Sequence, residues 1–326
     1  MPSTYSFVLL SYNQEEYIAD AVRSVLDQQG PPLEIILSDD CSTDSTYQIM
    51  RNVAAGYTGP HRVTIRRNET NLGFVKHFRE VFTRCTGDVM IVAWGDDVSL
   101  PDRALAVREA FSSGDPWLVH SHAACIDLAG NDIPPTYLTA DLVKGSDLAA
   151  CATSGGLYLG ATGAYHRKLV QKYGHVTNPR AYEDLVYGFR AMLEDGVRFI
   201  DKPLVRYRVG SGLSTSHLLA DRGGKRKAEI RRLRTQYAVL SQRRRDALVF
   251  GMFPQDSIPQ LINHNRLQVL FELYFWGAIN RERARRLLFQ HPLLALRAWR
   301  RVRRFKRRIK RSLQAMPTTV AVAPAP

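Results

Sequence analysis

Residues 33–46 read LEIILSDDCSTDST, and this stretch decides the fold. Leu33, Ile35, Ile36 and Leu37 form a short apolar run of strand length, rich in β-branched residues. Asp39 and Asp40 stand at its end. A Ser/Thr cluster follows and opens a helix, with Ser42 or Thr43 as the expected N-cap.

The pattern repeats on both sides. Upstream, residues 5–10 (YSFVLL) read as a buried strand, and 13–29 as a helix with Tyr17, Ile18, Ala21, Val22 and Val25 on one face. Gly30-Pro31-Pro32 ends that helix. Downstream, 63–66 is a third strand, 74–84 a helix and 89–93 a fourth strand. Strands alternating with helices imply an α/β fold: a mostly parallel, Rossmann-like sheet with helices on both faces. Such sheets bind ligands at the carboxyl ends of their strands. The polar residues there are Ser11, Tyr12 and Asn13, then Asp39 and Asp40, then Asp96 and Asp97. Residues 117–201 are less regular and Gly-rich at 155–163; 181–193 reads as a helix and 198–209 as one or two strands.

The chain of 326 residues is 45% hydrophobic and 23% charged, so a packed core is expected rather than disorder. No basic n-region precedes a signal-length apolar run, and no stretch approaches 18 uninterrupted apolar residues. Four widely spaced cysteines (Cys41, Cys85, Cys125, Cys151) form no CxxC pair, which speaks against a zinc knuckle and for a reduced, cytoplasmic chain. The net charge of +14 belongs to a tail: Arg281 to Arg311 hold fourteen Lys/Arg and one acid, Glu282. Such a tail calls for an anionic partner. A boundary is expected near 215–225, which makes 1–215 the α/β domain and 216–326 a basic, helical C-terminal region.

Each acidic pair has two readings when taken alone. Asp39-Asp40 can hydrogen-bond a base or ribose, or cap a helix in a solvated loop. Asp96-Asp97 suits Mg²⁺ or Mn²⁺, hard cations that take oxygen ligands and share them with phosphates, or is an acidic turn before Pro101. Glu183-Asp184 can supply a general base, or complement a helix dipole.

Order and context decide between them. FVLLSYNQEEYIADAVRSVLDQ (7–28), LEIILSDDCSTDST, RNETNLGFVKHF (67–78), GDVMIVAWGDDVSLPDRAL (87–105), AYEDLVYGFRAML (181–193) and DKPLVRYRV (201–209) resemble, in sequence order, the segments of family 2 glycosyltransferases of the GT-A fold. The likeness, to members that build bacterial surface polysaccharide or O-antigen, covers about 5–209, roughly two-thirds of the chain. It implies an inverting, metal-dependent hexosyltransferase that uses a UDP- or dTDP-linked sugar, with a saccharide acceptor that is lipid-linked or part of a surface polymer. It also implies roles. Ser11, Tyr12 and Asn13 contact the nucleotide, Asp39 reads the base, and Asn71, Gly73 and Lys76 lie near the nucleotide or its phosphates. Asp96 contacts the nucleotide sugar and, with Asp97, holds the metal. Asp184 is the catalytic base with Glu183 beside it, and 155–164 forms part of the acceptor site. The chain departs from the pattern twice. Trp94 stands where the motif has its first Asp, and Gly210 where many relatives have a His, for which His217 is a conceivable substitute.

In the tail, Leu296, Trp299, Val302, Phe305, Ile309 and Leu313 recur at spacings of three and four, with arginines filling the other positions. An apolar stripe with Trp and Phe among arginines suits an acidic membrane surface, and is expected to dock the enzyme at the inner face of the cell membrane. Residues 261–278 are expected to pack on the core. Nothing in the first 215 residues supports a nucleic-acid module. A sugar-1-phosphate nucleotidyltransferase would carry a Gly-x-Gly-x-Arg loop after the first strand, where Ser11-Tyr12-Asn13-Gln14 stands. A non-enzymatic polyanion binder would leave the ordered acidic turns unexplained.

Overall fold

The computed structural model describes residues 4–135, 147–211, 222–279 and 281–314. His217 and most of the expected linker lie outside them. The chain packs as two compact units: Met1–Thr215 with Ala238–Asn263, and Ser216–Tyr237 with His264–Pro326.

In the first unit, β1 (Tyr5–Ser11), β2 (Glu34–Asp39), β3 (Arg62–Arg67) and β4 (Val89–Trp94) alternate with α1 (Ile18–Leu26), α2 (Thr46–Ala55) and α3 (Phe74–Arg84). These four strands pair in parallel. β1 is buried at all seven positions, as its unbroken apolar run requires of a strand covered on both faces. After β5 (Val98–Ser99) come α4 (Arg103–Ser112), β6 (Leu118–Ile126), β7 (Asp132–Ile133), α5 (Leu148–Thr153), a 3₁₀ turn (Gly160–Thr162), β8 (Ala164–His166), α6 (Lys168–Tyr173), α7 (Glu183–Leu193) and β9 (Val197–Arg208). The strand order is β3-β2-β1-β4-β8-β6-β9-β5, with β7 paired to β6. β8 pairs antiparallel with β4 and with β6. The mostly parallel α/β sheet expected from the sequence is therefore present.

One core joins Phe7, Leu9, Ile35, Leu37, Ile91 and Ala93 from the strands to Ile18, Val22 and Val25 of α1 and Ala104, Val107 and Phe111 of α4. These strand residues alternate, as one face of a sheet must. α2 starts at Thr46, later than the Ser/Thr pattern suggests. Asp44 rather than Ser42 or Thr43 accepts the Thr46 N–H, at 3.0 Å.

α8 (Arg222–Phe250) and α9 (Ser257–Phe275) both pass from one unit to the other. In the first unit, Arg243 of α8 is completely buried and donates to the Leu185, Ala152 and Ser154 carbonyls. Arg190 of α7 and Asp246 of α8 form a fully buried ion pair, 2.9 Å at its closest. In the second unit, α10 (Arg281–Gln290) precedes α11 (Pro292–Gln314). Here the structure corrects two expectations. Leu267 and Phe271 of the 261–278 segment pack on Leu294, Ala295 and Ala298 of α11, because those residues supply the nearest matching apolar face. The expected tail stripe also divides. Val302 is buried and Phe305 meets Trp276 edge-on at 5.9 Å, while Leu296 and Trp299 remain exposed. The apolar positions span more arc than one contact can cover.

Candidate active site

The carboxyl ends of β1, β2 and β4 carry the polar residues singled out in the sequence. After β1 the chain turns sharply. Asn13 takes a left-handed φ of 51°, which Asn tolerates better than most residues. Its backbone N–H donates to Ser42 Oγ (2.9 Å), and its Oδ1 accepts the Thr43 N–H (2.8 Å). Ser11 is buried, whereas Tyr12 is 44% exposed and presents its ring to solvent.

Asp39 is wholly enclosed. Its oxygens accept from the Ser42 N–H and hydroxyl and face Arg67 Nε at 3.3 Å. Asp40 works as a staple. Oδ1 accepts from Asn68 (2.6 Å) and the Leu72 N–H (3.0 Å), and Oδ2 accepts the Gly73 N–H (2.9 Å). It therefore fixes the Asn71–Gly73 loop onto β2. Gly73 needs its glycine for a φ of +74°. Asn71 Oδ1 also accepts from Gly73 N at 2.9 Å, and Lys76 is exposed on α3. Asp40→Ala strips those donors of their acceptor at a buried site. It is expected to cost about 1–3 kcal/mol, read as a lower urea midpoint at unchanged slope. Asp40→Asn, which keeps one acceptor oxygen, loses less.

At the end of β4, Gly95 lies so close to β1 and α1 that a Cβ would sit 2.4 Å from Gln14 Oε1 and 2.9 Å from Ser11 Cβ. The glycine lets the acidic turn close onto the β1 loop. Asp96 is buried, and its Oδ2 accepts from Ser211 Oγ at 2.8 Å. Burial pushes its carboxyl up; Ser211, Arg208 and Gln14 oppose that only in part. Asp97, expected as a second metal ligand, is buried. Its Oδ1 accepts the Arg208 N–H at 2.9 Å, and Arg103 and Arg208 supply the nearby positive charge. Asp97 thereby ties the turn to β9. Among the described residues no three His, Cys, Asp or Glu gather. The donor set is one buried carboxylate short of positive charge. That fits a hard cation whose remaining ligands come from a diphosphate and water. Where a His was absent, Gly210 (φ +106°) turns the chain and brings Ser211 to Asp96.

α7 begins at Glu183-Asp184. Glu183 is buried, and its Oε2 has no hydrogen-bond partner among the described residues. Burial, and then the Asp184 charge, push its carboxyl well above the usual range. Asp184 is half-buried; its Oδ1 accepts the Leu185 N–H at 2.7 Å. Burial pushes it up to about 6, with the Leu185 N–H and the Arg243 charge pulling the other way. The 3₁₀ turn lies against this pair: a Cβ on Gly160 would stand 3.0 Å from Glu183 Oε1 and 3.4 Å from Asp184 Cβ. The Gly-rich 155–164 segment thus gains a physical reason for one of its glycines.

Ring contacts join these pieces. Trp94, two residues before Asp96, stacks on Phe74 at 4.9 Å, and Phe74 meets Tyr182 edge-on at 5.4 Å. Phe74 follows Gly73, and Tyr182 precedes Glu183. The sequence reading passed over this trio, Ser211 and Arg243. Only Trp94 carried a signal, as a departure from a pattern.

The profile of the family described as Glycosyl transferase family 2 matches residues 6–174. The chain belongs to glycosyl transferase family 2. The resemblance read from the six segments is borne out. This family 2 chain is similar to the abequosyltransferase RfbV of Salmonella typhimurium, 29% identical over 127 residues, 38% of this chain and 37% of RfbV. A Mycobacterium tuberculosis protein of uncharacterized function is 39% identical over 93 residues, 28% of this chain and 26% of that protein. The chain thus spans about a quarter to two-fifths of the length of these curated relatives. Among solved structures, Staphylococcus aureus TarS 1–349 in complex with UDP-GlcNAc superposes with a TM-score of 0.58 at 16% identity, over 98% of this chain and 94% of that one. The mannosyltransferase PcManGT of Pyrobaculum calidifontis, in complex with GDP-Man and Mn²⁺, gives 0.53 at 15%, over 96% and 87%. At these identities the likeness is one of fold, and the fold is GT-A.

Proposed function

We propose that the chain transfers a sugar from a nucleoside-diphosphate sugar to an acceptor hydroxyl, with inversion at the anomeric carbon. The observation that carries this is the meeting, through the Trp94–Phe74–Tyr182 contacts, of the Asp96 turn, the Asn71–Gly73 loop and the Glu183-Asp184 helix start. The nucleotide lies across the ends of β1 and β2. Tyr12 offers an exposed ring to the base, with Ser11 and Asn13 shaping the turn beneath it. Asp39 acts through the loop it holds and through Arg67, at the edge where the base is read. Asn71, Gly73 and Lys76 face the phosphates. Asp96 would hold Mg²⁺ or Mn²⁺, which when bound neutralises charge on the departing diphosphate.

Asp184 takes the proton from the acceptor hydroxyl as that oxygen bonds to the anomeric carbon. The bond from that carbon to the diphosphate oxygen breaks on the opposite side. Asp184, partly exposed at the start of α7, is the base, with the buried Glu183 beside it. The acceptor lies toward the 155–164 segment. Relatives favour a surface polymer: TarS of Staphylococcus aureus is named for poly(ribitol-phosphate), and TuaG of Bacillus subtilis is assigned to teichuronic acid biosynthesis. Release of nucleoside diphosphate from UDP- and dTDP-sugars tests the reading. Release with one donor class, accelerated by acceptor, supports it; none with any donor overturns it.

The second unit is read as the docking element, at the inner face of the cell membrane. No described helix is long and apolar enough to cross a membrane. Phe289 is 87% and Leu293 73% exposed; with Leu296 and Trp299 they form the apolar surface, among Arg297, Arg300, Arg303 and Arg304. Each cation near an acidic bilayer contributes about 1 kcal/mol. A Leu293→Glu, Trp299→Glu double variant is expected to lose co-sedimentation with phosphatidylserine vesicles while keeping its thermal midpoint. Retained co-sedimentation would remove the exposed apolar residues from the membrane contact.

A further inference from the structure

We infer that Trp94, Phe74 and Tyr182 form an aromatic wall for the transferred sugar, selecting a donor whose sugar turns a deoxygenated, apolar face to it. This rests on the glycosyl-transfer reading and names the substrate class at the same site.

The three rings occupy the positions that a sugar in transit must pass. Trp94 ends β4 two residues before Asp96, Phe74 opens α3 directly after Gly73, and Tyr182 directly precedes Glu183-Asp184. A sugar leaving a diphosphate held near Asp96 and moving to an oxygen deprotonated by Asp184 lies between those two groups. The rings bridge that interval. Trp94 and Phe74 are nearly parallel, with 27° between planes, and Tyr182 stands at 86° to Phe74. All three remain only partly buried, although Ala93, Val75, Ala181 and Glu183 beside them are buried. Rings used only as core would be covered as their neighbours are.

The chemistry follows from the residue type. The motif this segment resembles has a carboxylate at position 94, which would accept hydrogen bonds from hydroxyls. Indole offers a π face and a single N–H donor. Sugar C–H groups pack on such a face, whereas a hydroxyl turned to it loses water without gaining an acceptor, at about 1–3 kcal/mol. An apolar pocket discriminates only moderately against one added hydroxyl, by about 10–10². That sets the expected size of the preference.

The test compares two donors with the same nucleotide, a hexose and its 6-deoxy counterpart, by kcat/KM for nucleoside diphosphate release. The wild-type chain is expected to favour the 6-deoxy donor by about tenfold or more. Trp94→Phe keeps the preference; Trp94→Asp brings the ratio to near one. A wild-type ratio at or below one overturns the inference, and so does an unchanged ratio in a folded Trp94→Asp protein. The wild-type ratio decides even if that variant fails to fold. Turnover of both donors without preference sinks the aromatic wall alone, whereas no turnover of any donor sinks the transferase reading with it.

Discussion

Asp184→Asn is expected to lower kcat by ~10²–10⁴, the usual contribution of a positioned base, and to leave donor affinity nearly unchanged. The amide keeps the size of the carboxylate and its contact with the Leu185 N–H, so the start of α7 stays in place. What it removes is the group that accepts the acceptor's proton. The pH profile provides an independent check. Burial raises Asp184 to about 6, so wild-type kcat rises as pH climbs through about 6 and levels off above it. Stability moves the opposite way. A folded-state pKa above the unfolded value means the native state holds a proton that the unfolded chain releases, so stability falls as pH rises from the ordinary carboxylate range through about 6. Asp184→Asn removes that fall and should be relatively more stable at pH 7 than at pH 4, compared with wild type. Normal turnover in this variant would remove Asp184 from the mechanism.

Breaking the Arg190–Asp246 pair should be the costliest single change to the fold. Asp246→Ala is expected to destabilise the protein by about 3–5 kcal/mol, the range for leaving one member of a buried ion pair without its partner. Both side chains have zero exposure. The guanidinium donates through Nε (2.9 Å) and Nη2 (3.1 Å) to the two carboxylate oxygens. Its Nη1 donates to the Gly174 carbonyl at 2.7 Å, and Gln242 donates to Asp246 at 2.9 Å. Arg190 lies on the helix that starts with Glu183-Asp184, so the loss should also loosen the base. Chemical denaturation measures the first effect. A disproportionate fall in kcat relative to KM, at a temperature where the variant is folded, measures the second. Replacing both residues by apolar ones of similar volume should recover much of the stability but not the catalytic alignment.

The sheet was legible because β1, β2 and β4 are buried on both faces and read as unbroken apolar runs, as in FVLL and VMIVA. Helix limits were less legible. Of Asn13 to Tyr17 only Tyr17 continues the apolar face of α1, and the segment is held in turns by contacts from the α2 approach, including the Asn13 N–H donated to Ser42 Oγ. The local pattern carries no trace of such a partner, about thirty residues away. The acidic turns were found by type, yet their directions were not. Asp96 and Asp97 look equivalent in sequence, and the β9 amide at Arg208 separates them. Arg243 was hidden for another reason: a buried arginine in an arginine-rich helix looks like its solvated neighbours until carbonyls close around it. The tail stripe misled because periodicity identifies an apolar face without saying which part a neighbouring helix will cover.

The most direct test of the central claim is the thermal midpoint of the full chain with UDP, dTDP and GDP, each with and without Mn²⁺. A ligand that binds only the folded state raises that midpoint by mass action. A rise is expected with one nucleoside diphosphate, larger with Mn²⁺, that keeps its metal-free part but loses the metal increment in Asp96→Ala. No rise with any nucleotide, under conditions where the chain is folded, would contradict it.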